Sequence, residues 1–178
     1  MANREALREL HNRLASRLQA ARTDDVAAGW LAVEAGGGKY LLPLAQAGEI
    51  YAWTPALPVP YAQPWFLGVA NLRGGLYAVV ELASFLDPGR APVQLGSEQA
   101  RAEARLVSFN PALDINCVLQ VSRLAGLRNS KAFISQEAPA EGAPEHIGGI
   151  YTDSMGGRWE VLDMLALSRQ SQFLNISA

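Results

Sequence analysis

The sequence predicts a mainly β protein made of two small barrel-like lobes that share one hydrophobic core. From Trp30 onward, short apolar runs are punctuated by glycine and proline turns, which is the grammar of strands and hairpins. An internal repeat gives the second observation: "GGLYAVVEL" at 74–82 and "GGRWEVLDM" at 156–164 agree at the turn glycines, the aromatic, the valine and the acid. The third is size, because dividing 178 residues between two lobes leaves each one marginal unless they bury a core together.

Residues 4–22, "REALRELHNRLASRLQAAR", read as an amphipathic helix, with Leu7, Leu10, Leu14, Leu18 and Ala21 recurring at three- and four-residue steps. Such a helix either lays its leucines on the protein's own body or docks on a partner or a second copy. "WLAVEA" and "KYLLPL" then flank Gly36-Gly37-Gly38 as a hairpin. The "GGGK" there is not a phosphate loop: the positions that need a glycine and a hydroxyl hold Val33 and Tyr40. "TPALPVPYAQP", 54–64, has four prolines and is expected as an extended surface connection.

Strands follow at Phe66–Arg73 and Leu76–Glu81, with a tight turn expected at Gly74-Gly75 and "LASFL" as a short helix. Residues 87–103 carry no apolar period and read as a linker. "ARLVSF" and "INCVLQV" form another hairpin around Asn110-Pro111. After a soft stretch at 136–145, the chain closes with two strands and a longer terminal helix. In the repeat, Tyr77 answers to Trp159, Val79 to Val161, Val80 to Leu162 and Glu81 to Asp163; aspartate is the better helix cap of the last two.

Composition excludes several classes of function. The mean hydropathy is +0.04, as in a folded soluble protein, and the charged fraction is 18%, below the roughly 25% of an average domain, which points in the direction of protein contacts. A net charge of −2 argues against an electrostatic grip on nucleic acid or anionic lipid. Cys117 is the sole cysteine, reads as a buried small hydrophobe, and fits a reducing compartment. The N-terminus lacks the apolar core of a signal peptide, and no apolar run approaches membrane-span length, so a cytoplasmic location is expected.

No reaction can be named. His11 and His146 share no metal-site spacing, and a nucleophilic serine or cysteine would need a base that only tertiary structure brings near. Asp153, Glu160 and Asp163 read as a turn residue, a solvated side chain and a helix cap. One feature is left over. Arg73 stands beside a glycine turn with no matched acid nearby in sequence, and Met155 holds the aligned position in the second copy. A hairpin that does without the guanidinium once leaves Arg73 available to a partner or to an intramolecular ion pair.

The stretch "FLGVANLRGGLYAVVELASFL" resembles the CheW family of chemosensory coupling proteins. The family pattern is a Gly-Val, a short apolar stretch, Asn-Leu-Arg-Gly, an apolar strand, then an acid-Leu pair and a helix; Gly68, Val69, Asn71, Leu72, Arg73, Gly74 and Leu82 match it. Glu49-Ile50 ahead of the proline-rich stretch resembles the family's upstream Glu-Ile element, and "GGRWEVLDMLAL" its closing strand and Leu-Asp step. Glu81 departs from the commoner aspartate. The leucine-spaced N-terminal extension, together with "QPWFLGVANLRGGLYAVVELASFL", resembles the coupling proteins of type IV pilus (twitching) systems.

The resemblance implies two five-stranded SH3-like barrels around a shared core at 26–174, preceded by a helical extension at 1–25. It implies no catalysis and no cofactor, and a scaffold joining a methyl-accepting chemoreceptor signalling domain to a CheA-type histidine kinase. By family analogy the protein-interaction residues are Arg73, Glu49 and Ile50 with Asn71, Gly68 and Gly74 around them. The alternatives are a CheW-like protein of a flagellar or other chemosensory pathway and, from a different class, a small β-barrel hydrolase.

Overall fold

Residues 29–178 are described by a computed structural model. The predicted N-terminal helix lies outside the described residues. The strands are β1 (Trp30–Ala35), β2 (Gly38–Pro43), β3 (Ala47–Ala52), β4 (Phe66–Leu72), β5 (Gly75–Glu81), β6 (Arg105–Phe109), β7 (Cys117–Val121), β8 (Arg123–Arg128), β9 (Phe133–Glu137), β10 (Ile147–Asp153) and β11 (Arg158–Leu162). Among the described residues the α-helices are short: α1 (Leu82–Leu86) and α2 (Glu98–Glu103) lie between β5 and β6, and α3 (Met164–Arg169) and α4 (Ser171–Leu174) follow β11.

The strands form two mixed sheets, ordered β3-β6-β7-β5-β4 and β8-β1-β2-β11-β10-β9. Apart from β9, the two orders match strand for strand. The parallel pair β5·β7 (Val79 opposite Val118) in one has its counterpart in β11·β2 (Val161 opposite Leu41) in the other. One lobe is continuous in the chain, from β3 to β7. The other is permuted: β8, β10 and β11 are completed by β1 and β2 from the start of the described chain, in the places that β6 and β7 hold in the first lobe. This is the mainly β, two-lobe plan expected from the sequence, with β9 added to one five-stranded set. Each ladder is open, and side chains bridge across instead: Tyr51 on β3 meets Tyr77 on β5 with ring centroids 5.8 Å apart, and Trp30 on β1 meets Tyr151 on β10 at 4.9 Å.

Alternation along the strands divides the core into three parts. Leu31, Val33, Leu42, Val80, Val107, Phe109, Cys117, Leu119, Val121 and Leu162 form a central cluster that draws on both lobes. The opposite faces carry private cores, Tyr51, Ala70, Leu72, Val79, Leu106 and Val118 in one lobe, Trp30, Ala32, Leu41 and Trp159 in the other. The sequence repeat maps onto this division residue by residue. Val80 and Leu162 enter the central cluster, while Val79 and Val161, like Tyr77 and Trp159, pack on the private cores.

Several elements differ from expectation. Glu81 is a working helix cap: its buried carboxylate accepts from the Ser84 N–H (2.8 Å) and the Ala83 N–H (3.3 Å) at the start of α1, as Asp163 accepts from Ala166 N–H (3.0 Å) at α3. The extra methylene simply folds back. The stretch taken as a linker contains α2, capped by Ser97 and without a buried residue, so it has no apolar stripe to read. β3, β8 and β9 are largely exposed and carry weak alternation. The terminal helix breaks at Gln170, whose backbone is extended. At about 100° per residue, a straight helix would turn Phe173 some 120° away from Leu167; the break lets Phe173 stack on Trp65, 6.3 Å between centroids, inside the core.

Candidate functional site

The β4–β5 hairpin ends in a two-residue turn at Arg73-Gly74, not Gly74-Gly75, because Leu72 pairs with Gly75. Both turn residues have positive φ, +50° at Arg73 and +87° at Gly74, the geometry that suits the right-handed twist of a tight hairpin. Asn71 secures the turn, its Oδ1 accepting from the Gly74 N–H at 3.0 Å. The β1–β2 turn is the same device with φ +56° and +87°, built from Gly36 and Gly37. At the first position the molecule therefore uses glycine once and arginine once. Met155 is not the equivalent of Arg73 after all. In the β10–β11 hairpin Thr152 pairs with Arg158 and Asp153 N–H donates to the Gly157 carbonyl, leaving a longer loop than at Arg73. Asp153 organises that loop, accepting from Met155 N–H, Gly157 N–H and the Trp159 indole.

The guanidinium of Arg73 reaches back to β3. Its Nη1 lies 2.8 Å from Glu49 Oε2, with the two side chains 73% and 60% exposed, and its Cζ sits 5.5 Å from the centroid of the Tyr51 ring. An ion pair this exposed contributes at most about 1 kcal/mol to folding. The extended strand would turn adjacent residues to opposite faces, yet Glu49 and Ile50 are both exposed. A register shift between Ala47 and Ile50, where β3 pairs with β6, provides the bulge that allows it. Beneath the pair, Tyr51 donates to the Tyr77 hydroxyl (3.5 Å); this bond, burial and the Glu49 carboxylate push the Tyr51 phenol up to about 12.

The six residues marked by sequence divide into two groups in space. Arg73, Glu49, Asn71 and Gly74 are exposed around the hairpin tip and the end of β3, and Ile50 is exposed beside Glu49. Gly68 is buried. Its φ is +126° and a Cβ there would collide with the Leu57 carbonyl, which bonds to Val69 as the proline-rich segment crosses β4. Gly68 thus shapes the strand under the surface. Leu76, 64% exposed and directly across from Asn71, belongs to the same face and was not singled out by sequence, although its outward place in the β5 alternation marks it. The resulting surface combines two apolar side chains, an exposed arginine–carboxylate pair and an aromatic floor.

The groups with potential for chemistry lie elsewhere. Cys117 is buried, and burial pushes its thiol up to about 12, so little thiolate exists at neutral pH. His146 is buried against Phe85. Among the described residues no group of three or more His, Cys, Asp or Glu side chains is placed to hold a metal ion, and no helix is long and apolar enough to cross a membrane.

The permuted two-lobe fold and the Asn-Leu-Arg-Gly turn define a coupling module of chemosensory signalling, a class of scaffold and adaptor proteins. The chain belongs to the CheW-like domain family, whose profile matches residues 29–172. It is similar to Protein PilI of Pseudomonas aeruginosa, 26% identical over 145 residues that span 80% of this chain and 76% of that one. It is also similar to the Chemotaxis protein CheW of Rhizobium meliloti, 36% identical over 56 residues, 32% of this chain and 36% of that protein. Among solved structures, the scaffolding protein TtCheW from Thermoanaerobacter tengcongensis shares the fold at a TM-score of 0.57 and 13% identity, covering 77% of this chain and 89% of that one.

Proposed function

We propose that this chain is the adaptor that joins the signalling domain of a methyl-accepting chemoreceptor to a CheA-type histidine kinase in a cytoplasmic array controlling type IV pili. The 145-residue similarity to PilI supports the pilus assignment. The Arg73–Glu49 surface supports the adaptor role and is the observation that carries it: a guanidinium is held in a left-handed turn that glycine fits better, for an exposed ion pair of small folding value. Residues selected for stability alone would not be placed so. Exposed Ile50 and Leu76 supply apolar contact area, and the charged pair fixes register against a partner. Residues 26–174 form the coupling module on this reading, and 1–25 an extension to it.

The test is reconstitution. Purified kinase should enter a receptor pellet only when this protein is added, and the protein alone should sediment with the receptor signalling domain. Failure to pellet with either partner overturns the proposal; turnover of generic ester or phosphoester substrates by the purified chain would favour a hydrolase. The stretch of 36% identity to a chemotaxis CheW favours a second reading, the same adaptor in a chemotaxis pathway, which exchange of receptor and kinase between the two systems would reveal.

A further inference from the structure

The two halves of the proposed adaptor surface come from strands that do not pair with each other. Glu49 and Ile50 lie on β3, at one edge of the five-stranded sheet, whereas Asn71, Arg73 and Leu76 belong to the β4–β5 hairpin at the other. β6 and β7 run between β3 and β5. In a flat sheet, three spacings of about 4.8 Å would hold β3 and β5 about 14 Å apart. The sheet instead curls until Tyr51 on β3 and Tyr77 on β5 meet, with ring centroids 5.8 Å and hydroxyl oxygens 3.5 Å apart. We propose that Tyr51 and Tyr77 are positioning residues of the adaptor surface: their hydroxyl pair clasps β3 to β5 and so fixes Glu49 and Ile50 relative to Arg73 and Leu76. This inference rests on the adaptor reading of that surface.

Each tyrosine is tied to the half that it holds. Tyr51 directly follows Ile50 on β3, and its ring lies 5.5 Å from the Arg73 Cζ. Glu49, which takes Arg73 Nη1 at 2.8 Å, stands two residues before it. Tyr77 directly follows Leu76, and its ring leans toward the hairpin tip over Gly75, where a Cβ would sit 2.8 Å from a ring carbon. The Tyr77 bond, burial and the Glu49 carboxylate keep the Tyr51 phenol protonated, so its donor is present across the neutral range.

Packing alone does not call for the two oxygens. Both rings join the private core of their lobe, and phenylalanine rings would fill the same space. The other lobe is bridged by Trp30 and Tyr151, with centroids 4.9 Å apart, and a tryptophan carries no hydroxyl. There Trp159, the counterpart of Tyr77, turns its indole N–H to Asp153 inside its own hairpin loop. In the lobe that bears Arg73 the polar tip is directed at another strand instead. A surface whose side chains are already in place loses less ordering entropy when a partner arrives, so the clasp serves binding more than folding.

Tyr51→Phe and Tyr77→Phe each delete one oxygen and keep the ring, so both should melt within about 4 °C of wild type, and a larger fall would count against the proposal. In NMR relaxation, the order parameter of the Arg73 Nε–H group, assigned by its loss in Arg73→Gly, should be lower in both variants than in wild type. Titrated with the receptor signalling domain and with kinase, each variant should bind at least one of them about threefold or more weakly. That loss should vanish when Tyr77→Phe is added to Arg73→Gly. An unchanged Arg73 order parameter would overturn the proposal whether or not a partner binds, as would an equal loss of affinity from Tyr77→Phe in both backgrounds. Failure of the wild-type chain to bind either partner, alongside a lowered order parameter in the variants, would instead remove the adaptor reading and leave the clasp standing.

Discussion

Arg73→Gly separates a folding role from a recognition role more cleanly than truncation to alanine, because the turn already has a glycine version in Gly36-Gly37. Relief of a left-handed non-glycine residue is worth about 1–2 kcal/mol. Against it stand the greater unfolded-state freedom of glycine, about 0.5–1 kcal/mol, an exposed ion pair of about 0–1 kcal/mol, and an exposed cation–π contact of about 0.5–1 kcal/mol. These terms nearly cancel, and the expected stability change lies within about 1 kcal/mol, or about 4 °C of melting temperature for a domain this size. Binding has no such compensation. Truncating an arginine at the centre of an interface commonly costs about 2 kcal/mol or more, which is about thirtyfold in Kd. Differential scanning fluorimetry gives the first quantity and titration with receptor signalling domain and kinase the second. A fall of more than about 8 °C would make Arg73 structural. Affinities for both partners unchanged within about twofold would remove it from the interface.

Two further outcomes follow from the packing and the buried groups. Gly68→Ala should lower the melting temperature by about 6 °C or more, since it forces a Cβ into the Leu57 carbonyl at φ +126°, whereas Gly74→Ala at φ +87° meets open space and should cost only about 1 kcal/mol; melting curves of the two variants check the ranking. Burial lowers His146 from its ordinary value of 6.5, outweighing the opposing influence of the neighbouring Gln170 side chain. Below that value the unfolded chain takes up a proton that the fold resists, so stability conferred by neutral His146 is present above pH 6.5 and lost as pH falls through it. Urea midpoints should decline over that window in the wild type and less steeply in His146→Gln; parallel declines would show that the imidazole is not the group responsible.

Much of the architecture was legible because the repeat encodes burial. An aromatic, a valine and an acid at fixed spacing after paired glycines specify which side chain enters the private core, which enters the shared one, and where the helix is capped. Tyr77, Val79, Val80 and Glu81 match Trp159, Val161, Leu162 and Asp163 in all these roles. β8 and β9 were not legible, since strands with mostly exposed side chains offer no alternation to detect. The candidate site reads in sequence as a list of residues and not as a surface. Glu49 lies 24 positions before Arg73, and only the meeting of β3 with the β4–β5 tip pairs them. Leu76 carries no motif, and only the strand register sets it across from Asn71.

The matching strand orders also bring out how the two lobes differ at the tips of their equivalent hairpins. Each lobe needs a hairpin equivalent to β4–β5, and the shared requirements end where the strands end. In the permuted lobe the β10–β11 loop is longer and is consumed by its own structure, with Asp153 accepting from two backbone amides and the Trp159 indole. The continuous lobe closes the corresponding hairpin in two residues, and Asn71 alone secures it. The shorter turn leaves its first side chain out of the turn's own hydrogen bonding and points it back over β3, to an exposed ion pair with Glu49 where a bulge has already turned Glu49 and Ile50 outward. Folding thus fixes the position of Arg73 while asking little of its guanidinium, the condition under which a surface residue is free to be selected for a partner.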